Sequence, residues 1–147
     1  MNVSNHQLLI ACSVYNPNAD LEKTVDSVLG QTFKDFLFIL NDDYSTEFNV
    51  INKLKSKYAQ ETRIKFTCNS QNEGLTSSLI RIVENFPSEY IARIDSGDTW
   101  YPNKLTKQIE YLKANRDCII IGSQCNYIDE NERVIGVSNF KCNDNQI

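Results

Sequence analysis

Short apolar segments alternate along this chain with longer segments of helical periodicity, and this alternation constrains the fold more than any other feature. The first two apolar runs, LLIACSVY (8–15) and DFLFIL (35–40), are nearly continuous, as expected of strands buried on both faces. Between them Leu21, Val25 and Val28 recur at helical spacing. Strands joined by helices of this length form right-handed βαβ units around a mostly parallel sheet.

The alternation continues through the rest of the sequence. Further strands are predicted at RIKFTC (63–68), EYIARI (89–94) and DCIIIG (117–122). Amphipathic helices are predicted around Ile51 and Leu54, from Leu75 to Phe86, and after Pro102. The segments QCNYID and RVIGVS flank DENE and are typical of a hairpin. We therefore expect a single α/β domain over residues 1–147 that ends in a C-terminal hairpin.

Net charge and cysteine usage exclude several classes of protein. The net charge of −4 argues against a nucleic-acid partner, because such proteins usually carry a basic footprint. The five cysteines lack C-x-x-C spacing and His6 is the only histidine, so no zinc site is expected. Free thiols, and the lack of a signal sequence or membrane-length apolar run, predict a cytoplasmic protein. Peripheral attachment to the inner face of the membrane is left open.

Polar side chains follow four of the predicted strands, at the point where each strand ends. They are Tyr15 and Asn16 after the first strand, Asn41, Asp42, Asp43 and Ser45 after the second, Asn69, Asn72 and Glu73 after the third, and Asp95, Ser96 and Asp98 after the fourth. In open α/β sheets, ligands bind outside the carboxyl ends of the strands. The sequence therefore predicts a ligand site at this edge, with acids concentrated after the second and fourth strands.

Two acidic clusters on one edge suit a divalent cation that is bound through oxygen atoms. Mg²⁺ or Mn²⁺ uses one or two protein carboxylates and completes its shell with water and phosphate oxygens. A diphosphate ligand therefore suits this acidic protein, and Tyr15 could stack on a planar ring. The sequence has no G-x-G-x-x-G after its first strand and no G-K-[ST], so dinucleotide oxidoreductases and P-loop enzymes fit poorly.

The same residues also have a structural interpretation. Asp95 and Asp98 could cap a turn and the next helix, because aspartate is favoured at both places. Asp43 could belong to a plain turn, and Tyr15 could be an aromatic at the edge of the core. Arg93 lies on a strand that should be largely buried. It either pairs with an acid such as Asp43 or faces the ligand edge, and we favour a structural ion pair.

Five motifs, in order and in register, resemble the family 2 glycosyltransferases of GT-A fold. They are SVYN (13–16), DSVLGQTFKDF (26–36), NDDYS (41–45), NEGLT (72–76) and YIARIDSGDTWYPNKL (90–105). The resemblance implies a Rossmann-like GT-A sheet, mostly parallel, with flanking helices. It also implies an enzyme that moves a sugar from a nucleotide-diphospho-sugar, with UDP-sugars favoured, to a glycan or lipid-linked acceptor hydroxyl. Such enzymes commonly build surface polysaccharide.

The resemblance assigns roles to individual positions. Ser13 and Tyr15 would lie against the nucleotide base, and Asp43 would accept a hydrogen bond from it. Asp95 would face the ribose, and Asp98 would bind Mn²⁺ or Mg²⁺ on the diphosphate. The metal would stabilise the departing diphosphate as a Lewis acid, in a transfer that inverts the anomeric carbon.

The chain departs from the family pattern at three positions. Gly97 removes one acid of the D-x-D-D stretch, Tyr44 stands where a glycine usually follows the D-D pair, and Ile80 replaces an asparagine. The general base of the inverting members belongs to a motif well beyond D-x-D-D, so we expect it beyond Ile147 and assign no catalytic base here. The alternative is therefore that the chain is a fragment that lacks the acceptor half. Such a fragment would bind the nucleotide-sugar without transferring the sugar. The oligomeric state is left open.

Overall fold

The computed structural model describes residues 6–140, in two compact units divided between Lys107 and Gln108. The first unit contains β1 (Leu8–Val14), α1 (Asp20–Leu29), β2 (Phe36–Asp42), α2 (Asn49–Lys57), β3 (Ile64–Cys68), α3 (Leu75–Asn85), β4 (Tyr90–Arg93) and the start of α4 (Lys104–Ala114). The second unit contains the rest of α4 and the strands β5 (Asn126–Ile128) and β6 (Val134–Val137).

Four parallel strands form the sheet of the first unit, in the order β3-β2-β1-β4. This confirms the predicted α/β class with a mainly parallel sheet. The two inner strands, β1 and β2, are buried along almost their whole length, which explains their continuous apolar sequences. The outer strands β3 and β4 are only partly buried and contain more polar residues.

Helix α3 covers one face of the sheet. Leu9 and Ala11 of β1 and Ile39 of β2 pack with Ile82 of α3 in one buried cluster. Alternate residues of a strand point to opposite faces, so Ile10 and its neighbours contribute to a second apolar layer on the other side. At the carboxyl end of the sheet, the strand positions that face α3 are continued by polar residues, such as Ser13 after Ala11 and Asn41 after Ile39.

A buried glutamine connects the end of α1 to the beginning of α4. Gln31 is fully buried, and its Nε2 donates to the backbone oxygens of Ser27 at 3.1 Å and Tyr101 at 2.9 Å. Its Oε1 accepts a hydrogen bond from the Leu105 N–H at 3.1 Å. Every polar atom of this side chain is therefore used inside the protein, as the burial of an amide requires.

The second unit contains the antiparallel hairpin that the sequence predicts. Strand β5 pairs with β6, with Asn126 opposite Val137 and Tyr127 opposite Gly136. The turn is closed by the Asp129 N–H, which donates to the Arg133 oxygen at 3.0 Å.

The prediction of a strand at residues 117–122 is wrong. The described structure has no strand there, and Ile119 and Ile120 are 90% and 83% exposed. A strand needs a neighbour whose backbone groups are available for pairing, and an apolar run by itself does not provide one.

Replacing Gln31 by alanine should lower the free energy of unfolding by about 2–4 kcal/mol, because at least two buried backbone groups lose their partners. Urea unfolding followed by circular dichroism would show a lower midpoint at an unchanged m-value. Gln60→Ala, at an exposed position, is the matched control and should change the free energy by less than about 0.5 kcal/mol. Equal midpoints for the two variants would contradict the structural role of Gln31.

Candidate functional site

The carboxyl ends of the four parallel strands meet at one edge of the sheet, and backbone hydrogen bonds continue beyond the strands. The bonds run from Asp43 N to Val14 O (2.8 Å), from Asn69 N to Asp42 O (2.9 Å) and from Ile94 N to Ala11 O (3.1 Å). The segments that follow the strands are therefore fixed next to one another, and their side chains share one edge.

Ser13 and Tyr15 lie at the end of β1. Ser13 pairs in register with Asn41, whose Nδ2 donates to the Ser13 hydroxyl at 3.4 Å. The Thr67 hydroxyl donates to the Asn41 Oδ1 at 2.8 Å, which extends this polar row to β3. Tyr15 is 51% exposed, so its ring lies outside the core and can contact a planar ligand.

Asp43 is 3% exposed, and its carboxylate accepts three hydrogen bonds. Asn69 Nδ2 and Glu73 N donate to Oδ1 at 2.7 and 2.8 Å, and Gly74 N donates to Oδ2 at 2.8 Å. Burial alone would raise the pKa of this carboxyl, but these donors together with the Ser78 hydroxyl outweigh burial and lower its pKa below the ordinary value. A carboxylate offers about four lone-pair sites, so Oδ2 keeps one for an outside donor.

The start of α3 and the loop after β3 build the surroundings of Asp43. Asn69 also donates from its Nδ2 to the Ser78 hydroxyl at 2.8 Å, whereas its buried Oδ1 has no hydrogen-bond partner in the part of the chain that the structure describes. Gly74 has φ of +82°, a conformation that residues with a side chain rarely adopt. With Gly74 in this conformation, the consecutive backbone N–H groups of Glu73 and Gly74 both donate to Asp43.

The turn after β2 keeps a glycine-like backbone although it contains Tyr44. Tyr44 has φ of +63° and is 52% exposed. The neighbouring Asp42 is buried, and its Oδ1 accepts a hydrogen bond from the Ser45 N–H at 2.9 Å, which closes the turn. A residue other than glycine in this left-handed conformation costs about 1–2 kcal/mol. Tyr44, which stands where the family usually has glycine, nevertheless keeps the backbone conformation of a glycine, so only the side chain differs from the family pattern.

Helix α1 fixes the acidic turn that follows β4. The Gly97 N–H donates to the Thr24 hydroxyl at 3.0 Å, and the Trp100 N–H donates to the Ser27 hydroxyl at 3.2 Å. Gly97 has φ of +94°, where a side chain would be strained. The backbone of this turn therefore favours glycine where the family pattern has an acid.

Sequence reasoning missed the role of the polar residues on α1. Thr24 and Ser27 lie at positions i and i+3 of α1 and share one side of the helix, and Gln31 lies just after its end. All three hydrogen-bond to the segment 97–105. The signal was present, because these polar residues interrupt the apolar stripe of the helix, but their partners are about 70 residues away in sequence.

Asp95 forms a bidentate ion pair with Arg93. Nε and Nη2 of Arg93 lie 3.0 and 2.8 Å from Asp95 Oδ1, and Nη2 lies 2.7 Å from Oδ2. The two side chains are 52% and 50% exposed. The predicted ion pair of Arg93 with an acid is therefore present, but its partner is Asp95 rather than Asp43 and the pair is not buried. Strand β4 is an edge strand that ends at Arg93, and Asp95 follows it two residues later.

Asp98 differs from the other two acids, because its carboxylate makes no hydrogen bond or ion pair among the described residues. Burial, followed by the nearby charge of Asp95, raises the pKa of Asp98. Residues 6–140 contain no cluster of three His, Cys, Asp or Glu side chains that could bind a metal. The oxygen donors of Asp95 and Asp98 therefore fit Mg²⁺ or Mn²⁺ only where phosphate and water complete the shell.

The fold and this edge define an α/β protein with a polar, acidic edge at the carboxyl ends of its parallel strands. The chain belongs to glycosyl transferase family 2, whose model matches residues 10–145. This confirms the family resemblance. Within the part of the chain that the structure describes, no helix is long and apolar enough to cross a membrane.

Curated relatives are glycosyltransferases. The chain is 35% identical over 114 residues to the bifunctional glycosyltransferase pgtA of Dictyostelium discoideum, covering 76% of the chain and 15% of pgtA. It is 30% identical over 129 residues to the putative glycosyltransferase EpsE of Bacillus subtilis, covering 86% and 46%. It is also 30% identical over 128 residues to the Escherichia coli UDP-Glc:alpha-D-GlcNAc-diphosphoundecaprenol beta-1,3-glucosyltransferase WfaP, covering 86% and 48%. The chain thus spans less than half the length of each.

Solved structures show the same fold at low sequence identity. S. aureus TarS 1–349 in complex with UDP-GlcNAc has a TM-score of 0.68 and 18% identity, covering 75% of this chain and 32% of that one. The mannosyltransferase PcManGT from Pyrobaculum calidifontis, in complex with GDP-Man and Mn²⁺, has a TM-score of 0.66 and 13% identity, covering 76% and 35%. These similarities support the GT-A fold.

Replacing Asp43 by asparagine should lower the free energy of unfolding by about 2–3 kcal/mol at pH 7, because an amide N–H would face buried donors. The pKa of Asp43 is lower in the folded than in the unfolded state, so the ionised carboxylate stabilises the fold above pH about 4 and this contribution is lost as the pH falls further. The deficit of the variant should therefore shrink below pH about 4.

Urea unfolding at a series of pH values measures this difference, with the exposed Asp117→Asn as the control. A deficit in Asp43→Asn that is the same at pH 3 and pH 7 would show that the charge of Asp43 is not what the surrounding donors stabilise.

Proposed function

We propose that this chain binds a nucleotide-diphospho-sugar and that the whole protein transfers the sugar to an acceptor hydroxyl. Membership of the family and the glycosyltransferase relatives support glycosyl transfer. One observation carries the assignment of the site: within residues 6–140 the carboxylate of Asp98 has no hydrogen-bond or ion-pair partner, and Asp98 lies next to Asp95 on the sheet edge that also presents Tyr15 and Asp43. An unneutralised carboxylate at that edge is what a cation with a bound diphosphate requires.

The base binds at the ends of β1 and β2. The exposed ring of Tyr15 stacks on the base, and Ser13 lies on the same strand two residues earlier. The remaining lone pair of Asp43 Oδ2 accepts a hydrogen bond from a base N–H, such as N3–H of uracil. UDP is favoured because TarS has been solved with UDP and UDP-GlcNAc, and the name of WfaP gives UDP-Glc as its donor. PcManGT with GDP-Man keeps guanine as an alternative.

The ribose and the diphosphate bind at the turn after β4. Asp95 Oδ2 retains a lone pair for a ribose hydroxyl, and Asp98 binds Mn²⁺ or Mg²⁺. When bound, the metal would stabilise the negative charge that develops on the departing diphosphate. The Mn²⁺ in the PcManGT structure supports this cofactor. Because the chain has a net charge of −4 and no glycine-rich phosphate loop, the cation is the attachment point for the phosphates.

The transfer step belongs to the whole protein. We propose an inverting transfer to a glycan or lipid-linked acceptor in polysaccharide synthesis, on the cytoplasmic side and peripheral to the membrane. The diphosphoundecaprenol substrate in the name of WfaP supports a lipid-linked acceptor. The alternative is a chain that binds the nucleotide-sugar without turnover. It is favoured by the coverage, since residues 1–147 match only 15–48% of the three relatives.

Isothermal titration of UDP with and without Mn²⁺ tests the site. The wild-type chain should bind UDP more tightly with Mn²⁺, and Asp98→Asn should reduce this gain by at least about tenfold, because the protein ligand of the metal is lost. Asp117→Asn, which removes the same charge at an exposed position, should retain the gain. If Mn²⁺ has the same effect in Asp98→Asn as in the wild type, the metal assignment fails.

A transfer assay distinguishes the enzyme from the binding module. We expect no acceptor-dependent transfer from UDP-sugars by the chain of 147 residues alone, because no acid in it occupies the family position of the general base. Robust transfer by this chain would contradict the proposal that the base lies elsewhere.

A further inference from the structure

The pair of Arg93 and Asp95 lies at the edge where the proposed donor binds, and it suggests a role for Arg93 beyond structure. We propose that Arg93 is a positioning residue that separates the functions of the two acids. By binding Asp95 it reserves that carboxylate for the ribose, and it leaves Asp98 as the only carboxylate ligand of the cation. This inference rests on the proposed function, and it assigns the choice of carboxylate ligand for the metal to a residue outside the D-x-D-D stretch, residues 95–98.

The geometry of the pair limits what Asp95 can bind. Oδ1 accepts hydrogen bonds from both Nε and Nη2 of Arg93, and Oδ2 accepts a third from Nη2 at 2.7 Å. One of about four lone-pair sites remains. A hydroxyl donor can use that site, whereas a divalent cation on Oδ2 would lie close to the guanidinium and be repelled by it.

The charges in the turn lead to the same conclusion. Arg93 is ion-paired with Asp95, Gly97 contributes no carboxylate, and among the described residues the carboxylate of Asp98 has no hydrogen-bond or ion-pair partner, so Arg93 acts on it only through its charge. A single carboxylate binds Mn²⁺ or Mg²⁺ weakly, so the other ligands must come from phosphate and water. The cation is therefore expected to bind with the diphosphate rather than before it.

Stability does not explain the pair. Both side chains are about half exposed, and ion pairs of this kind add little to the free energy of unfolding because water screens them. The planar fork of arginine, in contrast, fixes the orientation of a carboxylate through parallel N–H bonds, which a lysine cannot do. Orientation of Asp95 is thus the property that depends on Arg93.

This inference can be tested by measuring the affinity of the 147-residue chain for Mn²⁺. The relaxation rate of water protons reports the bound Mn²⁺, so the test does not depend on enzyme activity. Arg93→Met should bind Mn²⁺ about fivefold more tightly than the wild type, the size of one screened charge interaction, because Asp95 becomes available as a second ligand. The double variant Arg93→Met/Asp95→Asn should lose this gain. Arg81→Met is the matched control, since Arg81 is also half exposed and paired with one carboxylate, that of Glu73. It should leave Mn²⁺ binding unchanged.

A second experiment measures uridine binding in the absence of metal, by NMR titration. The inference predicts that uridine binding changes in the opposite direction to Mn²⁺ binding. Arg93→Met should weaken uridine binding by about threefold, because Asp95 loses its fixed orientation toward the ribose. Arg93→Lys, which keeps the charge but not the fork, should bind Mn²⁺ like the wild type and uridine like Arg93→Met. Urea midpoints show whether each variant is folded, and Arg93→Gln replaces Arg93→Met if the latter is not.

The outcomes separate this inference from the proposed function. If the wild type binds UDP but Arg93→Met leaves Mn²⁺ affinity unchanged or lowers it, only the role of Arg93 is overturned. The same holds if the gain persists in the double variant, since that result would reflect net charge rather than Asp95. Failure of the wild type to bind UDP or uridine would overturn the proposed function and the inference together.

Discussion

The in-register pairing of β1 with both of its neighbours is the constraint on which the site depends. Ala11 pairs with Ile39 on one side and with Arg93 on the other, so residues more than 80 positions apart share one row. Side chains alternate between the two faces of a strand, so Asp43 and Asp95, at even spacing beyond Ile39 and Arg93, lie on the side of the sheet that α3 covers. A slip of one residue in either pairing would send one of these acids to the opposite face.

The polar side of α1 turns this alignment into a defined site. The hydroxyls of Thr24 and Ser27 on α1, with the buried Gln31 just after it, accept hydrogen bonds from backbone N–H groups of the segment that follows β4. Unsatisfied, such groups would each cost about 1–3 kcal/mol, so the contacts favour one conformation of the acidic turn. They use the backbone of the turn rather than its carboxylates, and the carboxylate of Asp98 is therefore left for a ligand.

The three acids at this edge meet different electrostatic environments. Asp43 is surrounded by neutral donors, which lower the pKa of its carboxyl in spite of burial. Asp95 is ion-paired with Arg93. Asp98 has neither kind of partner among the described residues, and burial together with the charge of Asp95 raises its pKa. In the proposed site, cation binding is therefore assigned to Asp98, and the other two carboxylates are acceptors for single hydrogen-bond donors.

The sequence by itself determined the βαβ alternation, the inner strands, the final hairpin and the family, because periodicity and ordered motifs are local properties of the chain. It also identified Asp43, Asp95 and Asp98 as the acids of one edge. Only the tertiary structure decided that residues 117–122 form no strand, that Arg93 pairs with Asp95, and that Thr24, Ser27 and Gln31 support the acidic turn. These features depend on partners distant in sequence, and pairing between such groups is decided by the packed fold rather than by any local pattern.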